Sequence, residues 1–230
     1  MKLAEKIFLS IPLPFSKWVF DISRSFLFND KRNAGFRKAV SLVKENNIKG
    51  DYLEFGVYKG SSLIQFNNLF KEFSLNDVRM FAFDAFKGLP SSEGSAFKKG
   101  EFHFPKEFFL KRIKKAGVDP GSLIVVEGFF NESLTPRVKK DCKLDKACII
   151  HIDCDLYEST VDVLNFVKEL VQDGTVLIPD DYLSFQNEPD PLQHGEEKAF
   201  KEWELFPLFE EIYTIGVSKA FLCRKKKINS

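Results

Sequence analysis

The chain has no apolar run near the ~18 residues of a membrane-spanning helix, no C-x-x-C pair and almost no net charge. Each lack excludes a class of function. The first argues against a spanning anchor. The second, with no histidine at zinc-finger spacing from Cys142, Cys148, Cys154 or Cys223, argues against a zinc finger. The third, 34 Lys+Arg against 33 Asp+Glu for a formal charge of +1, leaves no electrostatic case for nucleic acid. No Gly-Lys-Ser/Thr phosphate loop is present either. The first thirty residues are aromatic, but Pro12, Pro14, Lys17 and Asp21 break them. They lack the unbroken apolar centre and the cleavage site of a secretory signal. Cysteines without a pairing pattern point to a reducing compartment, and the expected location is cytoplasmic.

What is present is an ordinary globular composition: 230 residues, 44% apolar and 29% charged, with 26 phenylalanines. That length can bury a good core. Most of the phenylalanines should be core, and some could line an apolar pocket. Residues 1–32 read as an aromatic arm or lid, or a dimerisation arm, and 33–230 as the main domain. A homo-oligomer is possible, and membrane contact is not expected. The basic stretch Arg224-Lys225-Lys226-Lys227 reads as a solvated tail.

Periodicity predicts a helix over Asn33–Asn46, a strand over Asp51–Phe55 and a helix over Ser61–Phe73. A strand over Met80–Phe83 ends at Asp84, and Ala85–Phe104 reads as a long loop. A helix over Glu107–Ala116 and a strand over Leu123–Glu127 follow. Thr135–Lys143 is a helix or an irregular link. Next come a strand over Ala147–Ile152, a helix over Tyr157–Val171, a strand over Thr175–Ile178 and a helix over Glu196–Trp203. Phe209–Ile215 and Lys219–Cys223 close the chain as two antiparallel strands. This alternation predicts a doubly wound α/β fold, a mostly parallel sheet with helices on both faces and an antiparallel C-terminal hairpin.

Acidic residues stand at the strand ends: Glu54, Asp84, Glu127, Asp153 with Asp155, and Asp180 with Asp181. Ligands of open α/β sheets gather outside those ends. In Leu53-Glu54-Phe55-Gly56-Val57-Tyr58-Lys59-Gly60-Ser61-Ser62, a carboxylate opens a glycine turn that brings bare N–H groups to a ligand. An acid there repels phosphate and suits a ligand with cationic and hydroxyl parts, as S-adenosylmethionine has. Glu54 as a cap of the following helix is the alternative. Asp84, one βα unit later, could grip ribose hydroxyls. Asp153, Asp180 and Asp181 should converge as hard oxygen ligands for a divalent metal such as Mg²⁺. His151 reads as a packed core histidine. His103 and His194 sit in loops.

Four stretches, LEFGVYKGSS, FAFDAFKGLP, HIDCDLYESTVDVL and DGTVLIPDDY, resemble the macrocin O-methyltransferase family of class I S-adenosylmethionine-dependent enzymes. The likeness spans roughly Leu53 to Tyr182. It implies that Glu54, Gly56, Gly60, Ser61 and Ser62 hold the methionine part of the cofactor, with Tyr58 also among the cofactor-binding residues. It also implies that Asp84 binds the ribose, and that Gly128 and Phe129 lie near the adenine. Asp153 would border the cofactor and, with Asp180 and Asp181, ligate the metal. Asp155, His151 or the metal itself would be the base, with Asp153 beside it. Tyr58 replaces the middle glycine of the common turn. Leu156 stands where catechol-type relatives carry a catalytic lysine. The resemblance implies a small-molecule hydroxyl acceptor, a sugar or glycoside; the alternatives are a catechol-like acceptor, a lipid or glycan acceptor, or a non-catalytic binding module on the same fold.

Overall fold

Short apolar runs form the parallel part of a seven-stranded sheet of order β3-β2-β1-β4-β5-β7-β6. The computed structural model describes residues 31–190 and 193–225. The strands are β1 Asp51–Phe55, β2 Met80–Asp84, β3 Leu123–Glu127, β4 Ala147–Ile152, β5 Val176–Pro179, β6 Phe209–Ile215 and β7 Ser218–Cys223. Pairing is parallel from β3 to β5 and antiparallel in β5–β7 and β6–β7. Every residue of β1, β4 and β5 is buried, which is why these strands read as unbroken apolar runs rather than alternating ones. Edge strand β3 is only half-buried.

The helices are α1 (residues 31–45), α2 Ser61–Glu72, α3 Lys106–Lys115, α4 Phe130–Ser133, α5 Pro136–Asp141, α6 Tyr157–Val167 and α7 Gly195–Glu202. Successive strand side chains alternate between two cores. Tyr52, Met80, Ala82 and Ile178 face α1, α2 and α3, whereas Leu53, Phe55, Phe81 and Phe83 face α6 and α7. Phe66 of α2 is fully buried, with its ring centroid 4.5 Å from both Phe36 and Tyr52. Burying one such ring stabilises the fold by roughly 2–3 kcal/mol. Cys148, Cys154 and Cys223 are buried free thiols, and burial pushes the Cys148 thiol up to about 12.

The expected architecture is present, with local differences. Helix α6 stops at Val167 rather than Val171, because the Leu170 carbonyl accepts the Ala147 N–H that starts β4. The segment after β3 holds an extra turn, α4, and the link after it is a helix, α5, with Thr135 at its N-cap and Pro136 in its first turn. Strand β5 runs one residue later than expected at each end. Helix α1 is already under way at residue 31, two residues before its expected start. The expected arm over residues 1–32 lies almost entirely outside the described residues. At the C-terminus, Arg224 pairs with Glu210 and Lys225 donates to the Val171 carbonyl, so the first two residues of the basic stretch are anchored rather than free. Lys226 and Lys227 are outside the described residues. Among the described residues, no helix is long and apolar enough to cross a membrane.

Candidate active site at the ends of β1 and β4

The chain runs outward from β1 through β2 to β3, then returns to β4 on the other side of β1. The ends of β1 and β4 are therefore the point where the strand order reverses, and such a crevice takes ligands. Gly56 follows β1 with φ +83, and a Cβ there would lie 1.8 Å from the Asp153 carbonyl oxygen. Only glycine allows the two chain segments to come this close. A cavity of about 620 Å³ opens above them. That size holds a nucleoside-sized cofactor with room to spare.

Of the residues expected in the site, Gly56, Tyr58, Asp84, Gly128, Phe129, Asp153, Asp155 and Asp181 line this cavity. Asp84 does more than wait for a ligand. Its Oδ2 accepts the Val57 and Tyr58 N–H groups at 2.8 and 3.1 Å, and its Oδ1 accepts that of Phe86 at 2.6 Å. It ties the glycine turn after β1 to the end of β2, with Tyr58 held at φ 42.

Glu54 does not face the cavity, contrary to expectation. It is fully buried, accepts from the Tyr52 hydroxyl at 2.5 Å and from the Ser62 hydroxyl, and has His151 Nδ1 at 3.7 Å. Strand parity explains this. Glu54 shares the Tyr52 face of β1 and sits opposite His151 of β4, so both point toward α1 and α2. The bond from Ser62 comes from its hydroxyl and not from a backbone N–H of the first turn of α2, so it ties Glu54 to the helix without capping it. Gly60, Ser61 and Ser62 also lie away from the cavity. A Cβ on Gly60 would strike Phe109 and Ile113, and Ser61 receives an Arg112 hydrogen bond at 3.1 Å. Glu127 is exposed and paired with Lys106 at 2.9 Å.

The acids beyond β4 and β5 do converge, in two groups that share Asp153. His151, Asp153 and Asp180 form one, and Asp153, Asp155 and Asp181 the other, with the candidate ligand atoms of each within 4.8 Å. Parity at the end of β5 again decides. Asp180 continues the Ile178 face toward α1, whereas Asp181 turns to the cavity, where Ser184 donates to it at 2.6 Å. Burial, then repulsion from Asp180, pushes Asp153 well above the usual carboxylate range. Burial and then Asp181 push Asp155 up to about 10. Asp155 is also held at φ 65, a strained conformation for a non-glycine residue. Asp180 alone lies below its ordinary value, because His151 and Arg32 outweigh its burial. Burial lowers His151, but Asp180 and Glu54 reverse this and raise it to about 9. At 3.7 Å these are charge contacts, and neither ring nitrogen has a hydrogen-bond partner among the described residues. Crowding of this kind calls for a bound cation. Hard carboxylate oxygens beside an orphaned Asp180 Oδ1 fit a divalent ion.

Several participants were not singled out from the sequence. Glu196 of α7 is fully buried and accepts the Asp181 N–H at 3.0 Å. Burial and then Asp181 push it well above its ordinary value. Glu93, in the long loop, accepts the N–H groups of Tyr157 and Gly195 at 2.7 and 3.0 Å, clasping that loop to α6 and α7. Arg32 reaches Asp180 at 2.8 Å. None of the three lies in a motif, so only the folded chain brings them in.

A model of the family Macrocin-O-methyltransferase (TylF) matches residues 25–194. Demethyldecarbamoylnovobiocin O-methyltransferase of Streptomyces niveus is 25% identical over 163 residues, 66% of this chain and 60% of that protein. A tetracenomycin-C 4'-O-methyltransferase of Streptomyces olivaceus, whose full name specifies a 2,3-dimethoxy-rhamnosyl group, is 25% identical over 162 residues, 66% of this chain and 60% of that protein. The chain thus spans about three fifths of the length of these curated relatives. The solved calicheamicin methyltransferase CalS11 superposes with a TM-score of 0.71 at 19% identity, covering 95% of this chain and 89% of that one. With a family model covering most of its length and a fold to match, this chain belongs to the macrocin O-methyltransferase family.

Proposed function

We propose that the chain is an S-adenosylmethionine-dependent O-methyltransferase that methylates a hydroxyl of a sugar or glycosylated small molecule with the help of a divalent ion, Mg²⁺ by preference. The observation that carries this reading is one cavity that joins aromatic walls, Tyr58 and Phe129 among them, to the carboxylates of Asp153, Asp155 and Asp181 beyond β4 and β5. Phe129 offers a face to an adenine, Asp84 stands where the ribose is expected, and Gly56 admits backbone approach. When bound, S-adenosylmethionine would supply a methyl group on a positively charged sulfur: the acceptor oxygen gains the methyl carbon, the broken carbon–sulfur bond leaves its electron pair on the sulfur, and the hydroxyl proton passes to a base of the chain. A divalent ion would supply positive charge that lowers the pKa of the acceptor hydroxyl.

The protein's own contribution is alignment and proton handling. Asp153 and Asp181 would hold the ion. Asp155 is the candidate to take the hydroxyl proton, and it can do so only once a cation has displaced its own. His151, fully buried beneath the cavity, is less suited to touch the acceptor and would support Asp180. The family relationship supports the reaction class, and the rhamnosyl group in the name of the Streptomyces olivaceus relative supports a sugar acceptor. The test is transfer of a tritiated methyl group to a panel of sugars, glycosides and catechols, with Mg²⁺ or with EDTA. Transfer to glycosides that EDTA stops is expected. Transfer unaffected by EDTA removes the metal, and transfer confined to catechols removes the sugar.

A further inference from the structure

Helix α1 contributes the positive charge nearest the acids. Arg32 Nη2 donates to Asp180 Oδ2 at 2.8 Å and stands 3.7 Å from Asp153 Oδ2. Its side chain is only 21% exposed. The guanidinium carbon lies 5.2 Å from the centre of the Phe36 ring, which packs edge-on against His151 at 5.5 Å. The guanidinium is thus seated on the α1 side of Asp180 and of Asp153, and of these two Asp153 lines the cavity. On the other side, Asp180 Oδ1 is buried with no hydrogen-bond partner among the described residues, and His151 Nε2 is 3.7 Å away.

We propose that Arg32 is a resident cation of this cluster, one that keeps Asp180 and Asp153 in place and weakens the binding of a divalent ion beside them. The inference rests on the metal reading above. Two effects oppose each other. By ordering Asp180, the guanidinium lowers the entropic cost of assembling the site. By its charge, it repels an ion bound to Asp153, and that repulsion doubles for a divalent ion. The ordering concerns one side chain whose backbone is already fixed by the Asp180 N–H bond to the Ile152 carbonyl at 2.8 Å. Repulsion therefore dominates. Asp153 is shared by both groups, so the 3.7 Å contact of Arg32 with Asp153 carries its charge into the cavity-facing group. Metal loading would then also depend on how helix α1 is seated.

The test is Mn²⁺ binding to the full chain at low ionic strength, by calorimetry or by the electron paramagnetic resonance of free Mn²⁺. The Arg32→Gln protein should bind Mn²⁺ at least about tenfold more tightly than wild type. The Arg32→Lys protein, which keeps the charge, should stay within about threefold of wild type. An arginine with only a structural role would lower the melting temperature without tightening Mn²⁺. Unchanged or weaker binding in Arg32→Gln overturns the proposal and leaves the metal reading standing. Failure of both wild type and Arg32→Gln to bind Mn²⁺ removes both. Should Arg32→Gln fail to fold on its own, recovery in Mn²⁺ but not in K⁺ supports the role, and no recovery in either overturns it.

Discussion

Asp180 and Asp181 are neighbours in the chain, just past the end of β5, but their carboxylates meet different partners. Asp180 is bound to Arg32 of α1, and Asp181 lines the cavity above the strand ends. Successive side chains leave the chain in different directions. The three-aspartate cluster expected from the sequence is therefore two overlapping groups. Removing Asp181 should abolish metal-stimulated transfer. The Asp180→Asn variant should keep part of it, at a lower melting temperature, because Arg32 then loses its main partner. Turnover with and without Mg²⁺ for both variants checks the split, and equal loss in both would refute it.

Asp155 is the next target. Asp155→Asn preserves size but cannot take a proton. Turnover should fall by about 10²–10⁴-fold, while S-adenosylhomocysteine binding stays within a few-fold of wild type. Calorimetry beside a single-turnover assay separates the two. A fall of less than about tenfold would move the base elsewhere.

Glu54 is buried beneath the glycine turn, bonded to Tyr52 and Ser62. In Glu54→Gln, the contacts to Tyr52 and Ser62 weaken, and stability should drop by roughly 1–3 kcal/mol. Cofactor affinity of the folded fraction should change little. A large loss of S-adenosylhomocysteine affinity without loss of stability would return Glu54 to the cofactor.

Gly56→Ala places a methyl group against the Asp153 carbonyl at a backbone angle that L-residues avoid. Separating β1 from β4 at that point should cost about 3 kcal/mol or more and remove cofactor binding. A melting curve with and without S-adenosylhomocysteine is the measurement.

The metal-free protein should lose stability as pH rises. His151 is raised from 6.5 to about 9, and Asp155 from 3.8 to about 10. A folded-state pKa above the unfolded one means the folded protein holds the extra proton. That contribution is fully present below the unfolded value and disappears through the folded one. In EDTA, the melting temperature should fall from about pH 4 to about pH 10, most steeply between about 6.5 and 9 where both groups contribute, and His151→Gln should flatten that middle part of the slope. Mg²⁺ should oppose the fall, since a bound cation replaces the protons.

The strand and helix order and the location of the acids were readable from the sequence alone, because apolar runs and strand-end carboxylates are local signals. Gly56 could also be read, since a glycine directly after a buried strand marks close backbone approach. Side-chain direction could not. Whether Glu54 looks up into the cavity or down onto α2 depends on parity and on Tyr52, Ser62 and His151 closing around it, contacts that span up to about half the chain. The same holds for Arg32, Glu93 and Glu196. They lie far from the motifs in sequence, and only packing of α1, the long loop and α7 against the sheet carries their charges to the site. Composition and spacing determined that acids gather beyond the strands. The tertiary structure decided which of them meet a ligand and which hold the scaffold, because in a two-faced sheet one residue's shift sends a carboxylate to the opposite side.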